Sequence, residues 1–201
     1  MAENKNGKDA ERERSIDLII ELGEMVDCVN EIRREYKGRG LSWNRFRGDA
    51  ISRIVEHYLQ KHLLNDIKVV RSAWVEECGN EFDLLIVSKD AKPKVFTGAY
   101  RKEDVHLIIE VKGSGVFFRR EDVKKRLSEM FHKLRNMTQK PLLYLSFWEA
   151  KSHAKEVTEA LSKDTAFIFQ VGNEEVDITE WERFLERVNT LLKSRVYSSK
   201  E

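Results

Sequence analysis

The sequence predicts an α/β fold in which a mixed β-sheet is flanked by helices. Segments with the apolar spacing of amphipathic helices are interspersed with short apolar or β-branched runs typical of strands. Their order is helix, helix, three strands, helix, strand, helix, strand, helix, which is typical of a sheet covered by helices. The chain has 201 residues, of which 41% are hydrophobic, so it can form one domain around a single sizeable core.

Two amphipathic helices are predicted ahead of the first strand. The first covers residues 11–36, and the second covers residues 44–64 with one broad apolar face suited to a sheet. The first has an apolar stripe at alternating spacings of four and three residues, formed by Leu18, Leu22, Met25, Val29, Ile32 and Tyr36. This spacing fits both a homodimer interface and packing on the chain's own domain. We interpret residues 1–41 as a tail, frayed over residues 1–10, with a possible dimerisation helix, and residues 42–201 as the main domain.

The strands and remaining helices follow from short apolar runs and longer amphipathic segments. Strands are predicted at residues 67–76, 81–88, 105–112, 142–147 and 166–171. Helices are predicted at residues 119–137, at residues 150–161 and at the carboxyl end of the chain. The loop over residues 89–104 is longer than a plain hairpin requires, which indicates a functional loop or a small insertion.

Charged residues stand inside two of these apolar strands. Side chains alternate across a strand, so Asp83 lies on one side of the segment EFDLLIVS, and Glu110 and Lys112 share one side of VHLIIEVK. Burying such charges is costly unless they are paired or bind a metal, so these three residues are predicted to form the centre of a functional site. The alternative is a structural ion pair of Asp83 with Lys112, and Glu110 at a solvated sheet edge. Glu81, at the start of its strand, is expected to be solvated.

Two carboxylates and one ammonium suit the hydrolysis of a phosphodiester. Mg²⁺, with Mn²⁺ as a substitute, prefers hard oxygen ligands such as the carboxylates of Asp83 and Glu110, and the backbone carbonyl of Val111 can add one more. The ion would activate water and neutralise charge in the transition state. Lys112 would orient the attacking water, help to lower its pKa and stabilise developing negative charge.

The residues Glu-Phe-Asp at 81–83 and Glu-Val-Lys at 110–112, preceded by an amphipathic helix and followed by a helix and a strand, resemble the PD-(D/E)xK nuclease superfamily. The resemblance covers residues 42–147 and implies a restriction-endonuclease-like fold, with residues 148–201 as an extension and extra helices at both ends. It also implies Mg²⁺-dependent cleavage of DNA or sometimes RNA. Two departures are the lack of a proline before Asp83 and the long spacing from Asp83 to Glu110.

Many members of this superfamily carry one more carboxylate on the first core helix. Asp49, Ser52 and Glu56 lie along one flank of the second predicted helix, and the family's Gly-x-x-x-Glu pattern, started at Gly48, reaches Ser52. We favour Glu56 as a further catalytic and metal-binding residue, with Asp49 as the alternative and no helix carboxylate as the third possibility. The third possibility would indicate one-metal chemistry or a weak enzyme.

Basic residues cluster in two places that are candidates for contact with nucleic acid. The candidates are Arg45 and Arg47 in the second helix, and Arg119, Arg120, Lys124 and Lys125 after the third strand. The latter cluster begins seven residues after Lys112, so it is expected near the scissile phosphate. The alternative is that both clusters are solvated helix faces, since acidic residues interrupt the second one.

Composition excludes several other classes of protein. The net charge of +1 excludes a protein that binds nucleic acid simply by being basic, so a nucleic-acid site must be a local patch. No apolar run approaches the roughly 20 residues that span a bilayer, and the first residues are unlike a secretory signal, so no membrane partner and a cytoplasmic location are expected. The two cysteines, Cys28 and Cys78, lack the spacing of a zinc site or of a disulfide framework.

The sequence therefore favours a metal-dependent endonuclease of restriction, defence, repair or junction-resolving type, with DNA favoured as substrate. Cutting both strands of a duplex with one centre per chain favours a two-fold homodimer. The alternative is a nuclease-like module that has lost cleavage and binds nucleic acid or serves as a scaffold. Retention of the three central residues favours the enzyme, whereas absence of a helix carboxylate would favour the module.

Overall fold

The computed structural model of the protein describes residues 3–36, 40–112, 120–148, 154–170 and 178–198. The α-helices in these segments are α1 (Glu3–Tyr36), α2 (Gly40–Lys61), α3 (Arg120–Thr138), α4 (Ala154–Leu161) and α5 (Ile178–Ser198). The strands are β1 (Ile67–Val75), β2 (Glu81–Ser88), β3 (Ala99–Tyr100), β4 (Val105–Lys112), β5 (Leu142–Trp148) and β6 (Ala166–Gln170). Every predicted helix and strand is present, and β2 and β4 have the predicted bounds.

The differences from the sequence-based prediction lie at helix ends and in one loop. Helix α1 begins at Glu3, so the prediction that residues 3–10 are frayed is wrong. Once a helix is nucleated, each added residue gains a hydrogen bond, and no proline interrupts this segment. The loop over residues 89–104 contains the two-residue strand β3 and a short 3₁₀ turn at Lys102–Asp104. This loop is therefore a small ordered insertion.

The six strands form one mixed sheet in the order β3-β1-β2-β4-β5-β6. Strand β2 is antiparallel to both of its neighbours, whereas the pairs β1 with β3, β4 with β5, and β5 with β6 are parallel. The ladder between β2 and β4 ends at the pair Leu84 and Ile109. Asp83 and Glu110 thus lie one step beyond the last paired residues, at the same end of the sheet.

Helices cover both faces of the sheet, and each face has its own hydrophobic core. Leu107, Ile109 and Val111 of β4 point to the first core, which α1, α2 and α5 complete. Ile108 of the same strand points to the second core, which α3 and α4 cover. Because side chains alternate, Glu110 and Lys112 lie on the face of the second core. The mixed sheet flanked by helices confirms the predicted fold class.

The apolar stripe of α1 packs on the rest of the same chain. Leu22, Met25 and Val29 are fully buried in the first core, and Leu18 and Ile32 pack against it. The side chain of Tyr36 lies outside the described residues. Packing on the chain's own domain, the alternative kept open for this helix, is therefore what the structure shows, and these residues are not free to contact a partner.

None of the helices that the structure describes is both long enough and apolar enough to cross a bilayer.

Candidate active site

Asp83, Glu110 and Lys112 come together at one end of the sheet, as the alternation of side chains predicts. The ammonium Nζ of Lys112 lies 3.1 Å from Oδ2 of Asp83 and 3.2 Å from Oε2 of Glu110. We call these three residues the central trio. The side chain of Glu110 is 11% exposed, whereas those of Asp83 and Lys112 are 33% and 41% exposed. The trio is therefore open to solvent on the side of Asp83 and Lys112, with Glu110 behind them.

The end of the β2–β4 ladder positions Asp83. Its Oδ2 accepts a hydrogen bond from the backbone N–H of Val111 at 2.8 Å and another from Lys112. The carboxylate thus satisfies a backbone donor that β2 no longer pairs, because the ladder ended at Leu84. This backbone contact fixes Asp83 against the strand that carries Glu110 and Lys112.

Burial and mutual charge set the protonation of the trio. Burial raises the pKa of Glu110 to about 7, the charge of Lys112 opposes the rise, and Asp83 adds to it. Burial alone would lower the pKa of Lys112, but Glu110 and Asp83 together raise it above its ordinary value. Lys112 is therefore a fixed cation, and Glu110 gains or loses its proton near neutral pH.

The structural ion pair considered as the alternative is present in part. Lys112 does contact Asp83, but Glu110 is buried and contacts the same ammonium, so it does not lie at a solvated edge. A simple cross-strand ion pair needs one carboxylate, whereas Lys112 contacts two. A purely structural interpretation does not explain the second, buried carboxylate.

Two buried hydroxyls on β5 accompany the trio and were not predicted from the sequence. Tyr144 is level with Glu110 and Ser146 is level with Lys112 in the parallel ladder, on the same sheet face. Burial raises the pKa of Tyr144 to about 12, while the charge of Lys112 and the neighbouring hydroxyl of Ser146 oppose the rise. Among the described residues, neither hydroxyl has a hydrogen-bond partner of good geometry. The one sequence signal that could have indicated Tyr144 and Ser146 is that they stand two residues apart in β5 and therefore share a face of the strand.

Glu56 is not brought to the central trio. Its Oε2 accepts a hydrogen bond from Nε of Arg71 on β1 at 3.1 Å, and Arg71 also contacts Asp49, the alternative helix carboxylate. Helix α2 packs on the first core, whereas the trio lies on the face of the second core. Among the described residues, no three His, Cys, Asp or Glu side chains lie close enough together to hold a metal ion. The expected role of Glu56 as a third metal carboxylate thus has no support in this geometry.

The two basic clusters lie on different sides of the sheet. Helix α3 covers the face that carries the trio, and it contains Lys124, which is paired with Glu159 at 3.5 Å, and the exposed Lys125. Arg47 belongs to α2 on the other face. Arg119 lies outside the described residues, as do the side chains of Arg120 and Arg45. Phosphate contact stays a prediction for all of them, and the position of α3 favours the second cluster.

The element order, the mixed sheet and the flanking helices are those of the restriction-endonuclease-like fold, which two solved structures share with this chain. One is NucC of E. coli MS115-1 in its cAAA-bound form, with a TM-score of 0.59, 16% identity, and coverage of 89% of each chain. The other is NucC of P. aeruginosa ATCC27853 in its cAAA-bound form, with a TM-score of 0.58 and 13% identity, covering 88% of this chain and 90% of that one. At such identities the likeness shows the fold. No protein-family model and no curated protein matches the chain.

Proposed function

We propose that the chain is a metal-dependent endonuclease that hydrolyses phosphodiester bonds, with DNA as the favoured substrate. The observation that carries the proposal is the buried carboxylate of Glu110, which shares one ammonium with the carboxylate of Asp83. Leaving an extra carboxylate in this environment is costly, and structures retain such a cost where a metal or a substrate uses it. The restriction-endonuclease-like fold supports the same reading.

The donor set fits a hard divalent cation. Two carboxylates from neighbouring strands already converge on one cationic atom, the Nζ of Lys112, at 3.1 and 3.2 Å. Asp83 and Glu110 would hold Mg²⁺ or Mn²⁺, with the backbone carbonyl of Val111 as a further oxygen ligand. Such an ion supplies charge neutralisation and a water of lowered pKa when bound.

The chain's own residues perform the remaining tasks. Glu110 must lose its proton to accept the cation, and its pKa of about 7 makes this step possible near neutral pH. Lys112 keeps its proton, because the two carboxylates raise its pKa. In this state it would orient the attacking water and stabilise negative charge on the phosphate. Asp83, whose carboxylate the N–H of Val111 holds in place, would hold the cation next to Lys112.

A second candidate function is a nuclease-like module that binds nucleic acid without cutting it. The observation that favours it is the engagement of both helix carboxylates, Glu56 and Asp49, by Arg71. Without a carboxylate from α2, the site has two metal carboxylates and one ammonium. That set fits one-metal chemistry, and it also fits a weakened or lost activity.

A cleavage assay separates the two functions. Purified protein is incubated with supercoiled plasmid, linear duplex, branched DNA and single-stranded RNA, with Mg²⁺ or Mn²⁺ and with a chelator. Each reaction is run with and without cAAA, since both NucC neighbours are cAAA-bound forms. We expect metal-dependent cleavage that Glu110→Gln abolishes and the matched control Glu56→Gln retains. Binding without cleavage under every condition favours the module.

Calorimetric titration with Mn²⁺ tests the metal assignment independently of activity. We expect Asp83→Ala and Glu110→Ala each to abolish or greatly weaken binding, because each removes one of the two carboxylates that converge at the site. Unchanged binding in both variants would show that the metal site lies elsewhere.

A further inference from the structure

The loop before β3 ends in an apolar tip that points into solvent. Val95 and Phe96 are 92% and 100% exposed, and they occupy a tight turn between Lys94 and Ala99. Turns of this kind favour Gly, Pro, Asn, Asp and Ser, and an exposed Phe gains nothing from folding. We call Val95 and Phe96 the apolar tip.

The tip is held in a fixed shape by its base. The N–H of Lys94 donates to the carbonyl of Ala99 at 2.9 Å, and the N–H of Gly98 donates to the carbonyl of Lys94 at 2.8 Å. Gly98 has a φ of +66°, a conformation that glycine adopts without strain. Lys94 also pairs with Glu76, and Ala99 pairs with Trp74 in the sheet. The exposure of Phe96 is therefore built into an ordered turn.

The register of the sheet places the tip at the same end as the central trio. Ala99 is level with Trp74, and Trp74 is level with Glu81, two residues before Asp83. With neighbouring strands about 4.8 Å apart, β3 lies about 10 Å from β2. This distance corresponds to roughly three base steps of duplex DNA at about 3.4 Å per step. A nucleic-acid strand that runs from the trio across β1 would thus come to β3, beside the turn that carries the tip.

The size and charge of the tip decide which partner fits it. Val95 and Phe96 together expose on the order of 300 Å², well below the about 800 Å² per partner of a stable protein interface. One or two apolar side chains do suffice for a wedge between bases, or for a platform on which a base stacks. Residues 91–100 contain Lys92 and Lys94 and no acidic residue, and Lys94 pairs with Glu76 at the base of the turn. An exposed aromatic ring with the cation Lys92 close by in the sequence matches a polyanion that carries stacked rings.

We propose that Phe96 contacts the bases of the nucleic acid bound at the central trio, as a wedge or a stacking platform that sets the position of the strand. This inference rests on the proposed function for the identity of the ligand. It adds a contact with the faces of the bases. This contact is distinct from the phosphate contacts expected of the basic clusters. Phe96 is thus a positioning residue in the turn before β3, and β3 lies two strand spacings from β2.

Binding is tested in the Glu110→Gln background, so that cleavage does not interfere. A fluorescent 2-aminopurine is moved base by base through a duplex and through a single strand. We expect the fluorescence to increase at one position of the probe. Phe96→Ala should remove this increase and lower the affinity on the order of tenfold or more. Phe96→Trp should restore both signals. The matched control is Leu64→Ala, since Leu64 is 49% exposed and precedes β1 at the opposite end of the sheet.

The same variants are examined for cleavage, mass and thermal stability. Phe96 is fully exposed, so its variants should melt at the wild-type temperature. Wild-type affinity, fluorescence and cleavage pattern in Phe96→Ala would overturn the proposal. A change of mass in light scattering for Phe96→Ala would overturn it as well, and would assign the tip to contact between copies. If the wild-type chain cleaves nothing but the Phe96-dependent fluorescence persists, the enzymatic proposal fails while the base contact stands.

Discussion

Lys112 holds the central trio together, and its removal separates catalysis from binding. Its ammonium contacts both carboxylates, but an ammonium is not one of the oxygen ligands that a divalent cation uses. We expect Lys112→Ala to leave Mn²⁺ and DNA binding nearly intact and to lower the single-turnover cleavage rate at least about a hundredfold. Equal losses of affinity and rate would instead identify Lys112 as a phosphate anchor.

Glu110 makes the stability of the metal-free protein depend on pH in a predictable direction. Burial raises its pKa from an ordinary value near 4.5 to about 7. Between these values the folded chain keeps a proton that the unfolded chain releases, so the free energy of unfolding falls as pH rises through this window. The contribution of Glu110 is fully present below about pH 4.5 and lost above about pH 7.

The measurement compares urea unfolding at pH 5 and pH 7.5, with a chelator present, in the wild type and in Glu110→Gln. We expect the wild type to lose more stability than the variant between the two pH values, because the amide has no proton to release. An equal loss in both proteins would show that Glu110 titrates normally.

At this scale the sequence predicted that Asp83, Glu110 and Lys112 lie close together, because all three are charged residues inside short apolar strands. Strand parity puts Glu110 and Lys112 on one face, and the pairing of β2 with β4 brings Asp83 beside them. The position of Glu56 depended on which flank of α2 faces the sheet. It also depended on the competing cation Arg71, which lies on a different element. Tyr144 and Ser146 depended on the β4–β5 register, which parity within a single strand does not fix.

At the scale of elements, α1 is part of the first hydrophobic core and should contribute strongly to stability. Leu22 is fully buried and Ile20 is 56% exposed on the same helix. We expect Leu22→Ala to lower the free energy of unfolding by about 2–5 kcal/mol, because it removes buried methyl groups and leaves a cavity. Ile20→Ala should change it by no more than about 0.5 kcal/mol, as is usual for surface positions.

Urea denaturation monitored by circular dichroism gives both values. A chain that starts near residue 40 adds a third comparison, because it lacks Leu22, Met25 and Val29 and should be poorly folded. A truncated chain with wild-type stability would mean that α1 is a detachable arm.

The elements that were predicted well are those whose own residues contain the whole pattern that defines them. Strands β2 and β4 are apolar runs bounded by polar residues, and their observed bounds match the prediction. Strand β3 has two residues, Ala99 and Tyr100, and it exists because β1 offers it a free edge. The stripe of α1 is equally periodic whether the helix packs on its own domain or on another chain, so periodicity left that choice open.

At the scale of the whole molecule, the remaining question is how many catalytic centres act together. One centre per chain cuts one strand at a time, and a two-fold homodimer matches the symmetry of the two backbones of duplex DNA. The buried stripe of α1 is excluded as the interface, because Leu22, Met25 and Val29 are covered by the chain's own core. We therefore expect a homodimer that forms through another surface.

Light scattering of the full chain should give twice the mass of one chain, and Leu22→Ala should keep that mass wherever it remains folded. In the plasmid assay, two catalytic centres held together should produce linear DNA early, with few nicked circles. The share of linear product should fall when the protein is diluted below the concentration at which the dimer dissociates. A monomer that accumulates nicked circles at every concentration contradicts the expected homodimer. That outcome would leave the chemistry of the central trio unchanged, because the trio draws all three of its residues from the two neighbouring strands β2 and β4 of a single chain.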